Sequence, residues 1–228
     1  MALKLSCPSY IIPGTWWENI TYIDENRPEI SNVELLFFIY DDQTRRLIAP
    51  EEKLITSYTG RLTFTVHLPD PFLPGDHLAL VEKTSGIAKH YILHPPEKGF
   101  EDEFAEKVEV LRKNFGDRFL LENLIGRNHP WFLKNTEWPL CIDTGHALLR
   151  GHSPVKYYNK FRDRIKEIHL HDVINGMDHS PLSKESIWLR EFISELNNFR
   201  GIVNIELFRE KEVLTSLEVI QTLFPYTV

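Results

Sequence analysis

Nine side chains able to hold a cation stand at or just beyond the ends of successive apolar runs: His67, His94, Glu122, Asp143, His146, His169, Asp178, His179 and Glu206. The runs are Phe64–His67, Tyr91–His94, Phe119–Glu122, Leu140–Asp143, Ile168–His169 and Val203–Glu206. A β/α barrel gathers the C-terminal ends of its strands around one mouth, where its active site sits. Carboxylates and imidazoles brought together there repel or lose hydration unless a cation organises them. The pattern therefore predicts a metal centre in an enzyme.

The sharpest motif is Cys141–Ala147, reading CIDTGHA, in which Asp143 ends a strand and His146 follows three residues later. Read without a metal, Asp143 caps a helix N-terminus and His146 is exposed. In Ile168–Asp172, reading IHLHD, the two-residue strand period puts His169 and His171 on one face. His169, lying deeper, is the expected ligand and His171 faces substrate; a satisfied core histidine is the plainer reading of either. His67 and His94 end neighbouring strands, and each strengthens the case for the other. Glu122 and Glu206 each set an anion at the end of an apolar strand, which demands a partner, whether a metal, an Arg or a Lys. Asp178 and His179 sit in the polar stretch Asn175–Pro181, read as a loop that solvent alone could satisfy. Trp16, after Ile12–Gly14, either walls the mouth against substrate or packs the first helix. His77, His90, His129 and His152 fall in helices or connections and read as surface residues.

These side chains need a scaffold of parallel strands. Short β-rich runs alternate with amphipathic stretches, as parallel strands with helical crossovers require. Strands are expected near 3–12, 33–40, 62–68, 90–94, 118–121, 140–143, 167–170 and 202–207, several of them apolar on both faces. Helices are expected over 16–26, 50–58, 76–89, 100–114, 130–135, 146–164, 184–198 and 210–223. Eight such units in 228 residues, about 28 residues each, predict a single (β/α)8 TIM barrel domain spanning 1–228, of α/β class.

Composition narrows the partners. Hydrophobic content of 42% with 26% charged residues is that of a globular protein, and a net charge of −7 disfavours nucleic acid. Two cysteines, Cys7 and Cys141, build neither a disulfide framework nor a CxxC metal site, which fits a reducing cytoplasm. The first residues do not read as a signal peptide, and no apolar run approaches the roughly 18 residues of a membrane span. Phosphate-binding glycine loops and the serine elbow GxSxG are missing.

With DTGH, then IHLHD, then a terminal-strand glutamate, nearly the whole chain resembles the xylose-isomerase-like barrel superfamily, which includes sugar isomerases, epimerases and AP endonucleases. Isomerase-like members hold one divalent ion with Glu, Asp, His and Glu, a set that Glu122, Asp143, His169 and Glu206 satisfy. Members resembling AP endonucleases add histidines on the third and fourth strands and a third ion site. By that resemblance His67, His94 and Glu122 hold one ion, Glu122, Asp143, His169 and Glu206 a second, and His146, Asp178 and His179 a third. The chain departs from the endonuclease pattern in having Asp178 and His179 adjacent. The stretches Ser9–Pro13, Val33–Phe38 and Phe64–Pro69 look like the cobamide-remodelling phosphodiesterases of the same superfamily.

The resemblance thus implies a metal-dependent phosphodiesterase cutting the nucleotide loop of a cobamide with two or three ions, zinc or manganese. Glu122 and Glu206 would orient the attacking water. The alternative is a mononuclear sugar or sugar phosphate isomerase or epimerase, with the same two glutamates moving a proton. An AP endonuclease-like DNA repair enzyme ranks below both, since short loops and acidic charge do not suit a DNA duplex.

Overall fold

The computed structural model describes residues 3–224, so residues 1–2 and 225–228 of the expected domain lie outside the described residues. Among the described residues ten strands form: β1 (Lys4–Pro8), β2 (Ile30–Leu36), β3 (Thr63–His67), β4 (Ala88–Leu93), β5 (Phe119–Glu122), β6 (Leu140–Asp143), β7 (Ile165–His169), β8 (Asp172–Ile174), β9 (Met177–Ser180) and β10 (Ile202–Asn204). All but β8 and β9 close into a parallel barrel in the order β1-β10-β7-β6-β5-β4-β3-β2. The chain is a (β/α)8 TIM barrel, as its alternating pattern predicts.

Crossover helices cover the barrel: α1 (Trp16–Asn26), α2 (Asp42–Thr56), α3 (Pro74–Thr84), α4 (Glu101–Phe115), α5 (His129–Asn135), α6 (Thr144–Leu149), α7 (Pro154–Phe161), α8 (Ile187–Glu195) and α9 (Glu210–Leu223). In α1 the Thr15 side chain accepts from the Glu18 N–H while the Glu18 carboxylate accepts from the Thr15 N–H, a capping box. In α4 acids open the first turn and Arg112 and Lys113 close the last, which complements the helix dipole. The main apolar core lies between strands and helices, from Leu5, Val33 and Phe64 through Tyr91, Phe104 and Phe132 to Leu217. Among the described residues no helix is long and apolar enough to cross a membrane.

Several boundaries differ from expectation. Helix α2 begins at Asp42, where the Asp41 side chain accepts from the Thr44 N–H, and Pro50 falls inside it. The expected helix 146–164 is two helices, because Gly151 adopts a φ of 69° and Ser153 caps a fresh start at Pro154. Strand β2 lies earlier than expected and leaves 37–40 outside the sheet. The expected loop 175–181 is largely an antiparallel hairpin, β8 with β9, turned by Asn175 and Gly176 at φ 55° and 77°.

Candidate metal centre at the barrel mouth

Alternation along each strand decides what faces the interior. Thr65 and His67, Ile92 and His94, Leu120 and Glu122, Cys141 and Asp143, Glu167 and His169, Asn204 and Glu206 are pairs two residues apart. The register sets Asp143 opposite His169, so these two ends reach one level. The lower member of each pair fills the barrel and the upper member meets its counterparts at the mouth.

His169 is the hub. Its Nε2–H donates to Glu34 Oε2 at 3.0 Å, which leaves Nδ1 facing the mouth, 3.2 Å from Glu206 Oε2 and 3.5 Å from Glu122 Oε2. Yet Nδ1 and both of those oxygens lack a hydrogen-bond partner, as do His94 Nδ1 and His146 Nδ1. Donors around one ion with bonds of about 2.1 Å stand about 3.0–3.5 Å apart, so these separations fit a shared cation. Glu122, Asp143 and His169 could hold an ion together, and so could His67, His169 and Glu206, or His67, His94 and Glu122. His67 Nε2 and His94 Nε2 lie 3.4 and 3.5 Å from Glu122 Oε2.

The DTGH box has a physical reading residue by residue. Asp143 caps α6 by accepting from the His146 N–H, so the capping alternative and the mouth position hold together. Thr144 Oγ1 donates to the His171 carbonyl and accepts from the His171 N–H, which pins the exit of β7. Gly145 leaves room: a Cβ there would overlap the His171 ring and the Asp178 carboxylate. His146 is buried, not exposed, with Nδ1 3.3 Å from Glu122 Oε1 and Nε2 3.5 Å from Asp178 Oδ2.

The hairpin brings Asp178 and His179 in. His179, at a strained φ of 48°, stacks on His171 with ring centroids 4.4 Å apart and places Nε2 3.7 Å from Glu206 Oε2. His171, expected toward substrate, is wholly buried and does not line the mouth cavity; its Nε2 lies 3.1 Å from Asp143 Oδ2, and it forms a potential ion-binding group with His179 and Glu206. Trp16 does not reach the mouth cavity either. It stacks on Phe37, and its Nε1–H donates to the Leu36 carbonyl.

Burial opposes charge on these imidazoles, but the surrounding carboxylates outweigh it. Glu122 and Asp70 raise His94 to about 10, Asp143 and Glu122 raise His146 to about 9, and Asp143 with Glu206 raises His171 to about 9. Burial pushes the Glu122 carboxyl up, yet His94 and His169 bring it well below the usual carboxylate range. Protons thus take the place of a cation, and binding a metal would expel them.

A second buried network lies beneath. Glu34 accepts from Asn204 Nδ2 at 2.7 Å as well as from His169, while Glu167 lies 3.2 Å from both His90 Nδ1 and Thr65 Oγ1. Sequence reasoning assigned no role to Glu34 or Glu167, although each is a lone acid inside an apolar strand. Of the histidines expected at the surface, His77 and His129 are buried and His90 faces the barrel interior; only His152 is exposed. Burial drives His129 down to about 3.

The mouth cavity, about 330 Å³, is walled by Phe37, Phe38 and Phe208 above His67, Glu122 and Glu206. No Lys or Arg lines it among the described residues.

No family profile matches the chain. A 34-residue stretch is 50% identical to inosose dehydratase of Lacticaseibacillus casei, covering 15% of this chain and 11% of that protein. The fold extends over whole chains. A D-tagatose 3-epimerase-like protein superposes with a TM-score of 0.76 at 18% identity, covering 99% of this chain and 98% of the other. A probable 3-DHS dehydratase from Bacillus anthracis gives 0.73 at 12%, covering 96% and 98%. A D-psicose 3-epimerase from Clostridium cellulolyticum H10 gives 0.65 at 12%, covering 99% and 98%.

These neighbours correct the phosphodiesterase expectation, and with it the cobamide substrate and the endonuclease reading. The chain shares its fold, end to end, with sugar epimerases and a dehydratase. Its cavity also offers a phosphodiester no Lys or Arg among the described residues. The extra histidines gather at the mouth, but gathering alone does not make a hydrolase.

Proposed function

We propose that the chain is a metal-dependent sugar isomerase or epimerase that moves a proton at the carbon beside a carbonyl of a small, uncharged polyol substrate. The observation that carries this reading is His169 Nδ1, buried without a hydrogen bond between two equally unpartnered carboxylate oxygens and locked outward by Glu34. The orphaned donors fit one ion, with Glu122, Asp143, His169 and Glu206 as its ligands. Three carboxylates and one imidazole are a harder set than a zinc site prefers, which favours manganese. When bound, the ion would polarise the carbonyl and stabilise the negative charge that develops on its oxygen.

The chain's own groups move the proton. Glu122 and Glu206 rise from strands separated by β6 and β7 and both line the cavity, so one can take the proton and the other return it. The depressed Glu122 carboxyl stays a base at neutral pH. Phe37, Phe38 and Phe208 exclude water from the carbanion-like stage. A lining without Lys or Arg among the described residues supports a neutral sugar over a sugar phosphate. Buried free thiols at Cys7 and Cys141 are consistent with a reducing cytoplasm.

The stretch similar to inosose dehydratase favours a second reading, in which the same proton abstraction ends in loss of a neighbouring hydroxyl. The test is proton NMR of metal-loaded protein with ketohexoses and keto-cyclitols in deuterated water. Deuterium at the carbon beside the carbonyl, lost in Glu206→Gln, is expected; product analysis separates epimer from dehydrated product. No exchange into any of these substrates overturns both readings.

A further inference from the structure

Beside the mouth cavity runs a second hollow of about 420 Å³, lined without a single charged side chain. The two share a wall, Leu36, Phe37 and Phe38. The far side of the hollow is Tyr10, Trp16, Ile39 and Leu47. Phe38 and Ile39 are each 64% exposed and Tyr10 and Leu47 each 52%, an unusual concentration of bare apolar surface. The surface is also built. Trp16 is fixed by its hydrogen bond to the Leu36 carbonyl and by stacking on Phe37 at 5.2 Å. Edge-on contacts then run from Tyr10 to Phe38 and from Phe38 to Phe208, and Phe208 lies 5.0 Å from the His179 ring. One aromatic wall therefore leads from the groove to the polar mouth.

We propose that this groove is a substrate subsite for an apolar group, so that the substrate is a keto-polyol carrying an aryl or alkyl substituent rather than a free sugar. The inference rests on the sugar reading of the mouth and deepens it. A polyol ring fills the hydroxyl-binding cavity, and its substituent crosses Phe38 to lie on Trp16, Ile39 and Leu47. Aromatic and aliphatic walls without charge give such a group affinity, with the hydroxyl residues Ser9, Thr15 and Thr44 as polar lining. The shared wall of Leu36, Phe37 and Phe38 is what points to a substituent of the substrate rather than to a separate partner.

The experiment compares phenyl and methyl glycosides of the same sugars, glucose and galactose among them, by calorimetry on the metal-loaded protein. Phenyl glycosides are expected to bind roughly tenfold or more tighter than their methyl counterparts, the factor that burying a phenyl ring supports. Ile39→Ser and Leu47→Ser, exposed positions that line the groove and not the cavity, are expected to erase that preference and leave methyl glycoside binding unchanged. Equal binding of the two classes, no binding of either, or a preference that survives both substitutions overturns the inference. So does sedimentation showing a dimer that Ile39→Ser dissociates while phenyl glycosides gain nothing. A phenyl preference without deuterium exchange leaves the subsite standing and removes the isomerase reading; exchange without a phenyl preference does the reverse.

Discussion

Two buried networks of acids and imidazoles are stacked in one barrel, and they differ in whether their atoms are satisfied. In the lower one Glu34 and Glu167 find His169, His90, Thr65 and Asn204 at hydrogen-bonding distance, and only Asn204 Oδ1 is left alone. In the upper one Glu122, Glu206, His94, His146 and His169 each keep a buried atom with no partner. Native proteins leave few such atoms, because each costs about 1–3 kcal/mol. The lower network is nearly satisfied within the protein; the upper one keeps the unpartnered donors that a cation would take. His169 belongs to both, through Nε2 below and Nδ1 above.

Breaking the hinge between the networks has the largest expected effect. His169→Ala removes a donor from the upper set and a partner from the lower, and metal affinity is expected to fall beyond the roughly 10–100-fold typical of an outer partner. Titration calorimetry with manganese measures it. Glu34→Gln keeps the shape but weakens the grip on Nε2, for an expected loss of roughly 10–100-fold. Glu167→Gln sharpens the contrast, since burial, with Glu34 beside it, already raises the Glu167 carboxyl toward its neutral form. Its metal affinity is expected to match that of the parent.

Gly145→Ala attacks the upper network from the side, by forcing a methyl group into His171 and Asp178. Overpacking of this kind costs about 1–3 kcal/mol, to be read in thermal unfolding, and the displaced ring is expected to weaken manganese binding as well.

The smallest effect is on pH dependence. Unfolded imidazoles titrate near 6.5, whereas folded His94 sits at about 10 and His146 and His171 at about 9 in the metal-free protein. The folded state binds these protons more tightly. Their stabilisation is therefore complete below about pH 6.5 and is lost as pH rises through 9 to 10. Melting temperature of the metal-free protein is expected to fall across that window, and that of the manganese-loaded protein to stay flatter. Equal slopes would contradict a cation replacing the protons.

The barrel was legible because parallel strands buried on both faces read as short apolar runs, and an acid or imidazole at the end of such a run is conspicuous. Helices 16–26 and 210–223 carry the bounds expected of them. The hairpin 172–180 was legible in principle, since Asn175-Gly176 is a two-residue turn signal, but its polar flanks read as loop. Glu34 and Glu167 were missed for a different reason. A charge in mid-strand looks like a surface position until the fold sets Glu34 against His169 and Glu167 against His90. The reaction class was misread because ligand types alone do not select a chemistry. The aromatic wall of this cavity, with no Lys or Arg among the described residues, comes from loops such as Phe37–Phe38 whose direction no residue pattern announces.

Elemental analysis of protein purified without added metal, set beside His169→Ala purified in the same way, tests the central claim most directly. The account predicts close to one divalent ion per chain in the parent and none in the variant. A folded parent without metal, or a ratio of two or three, would contradict it.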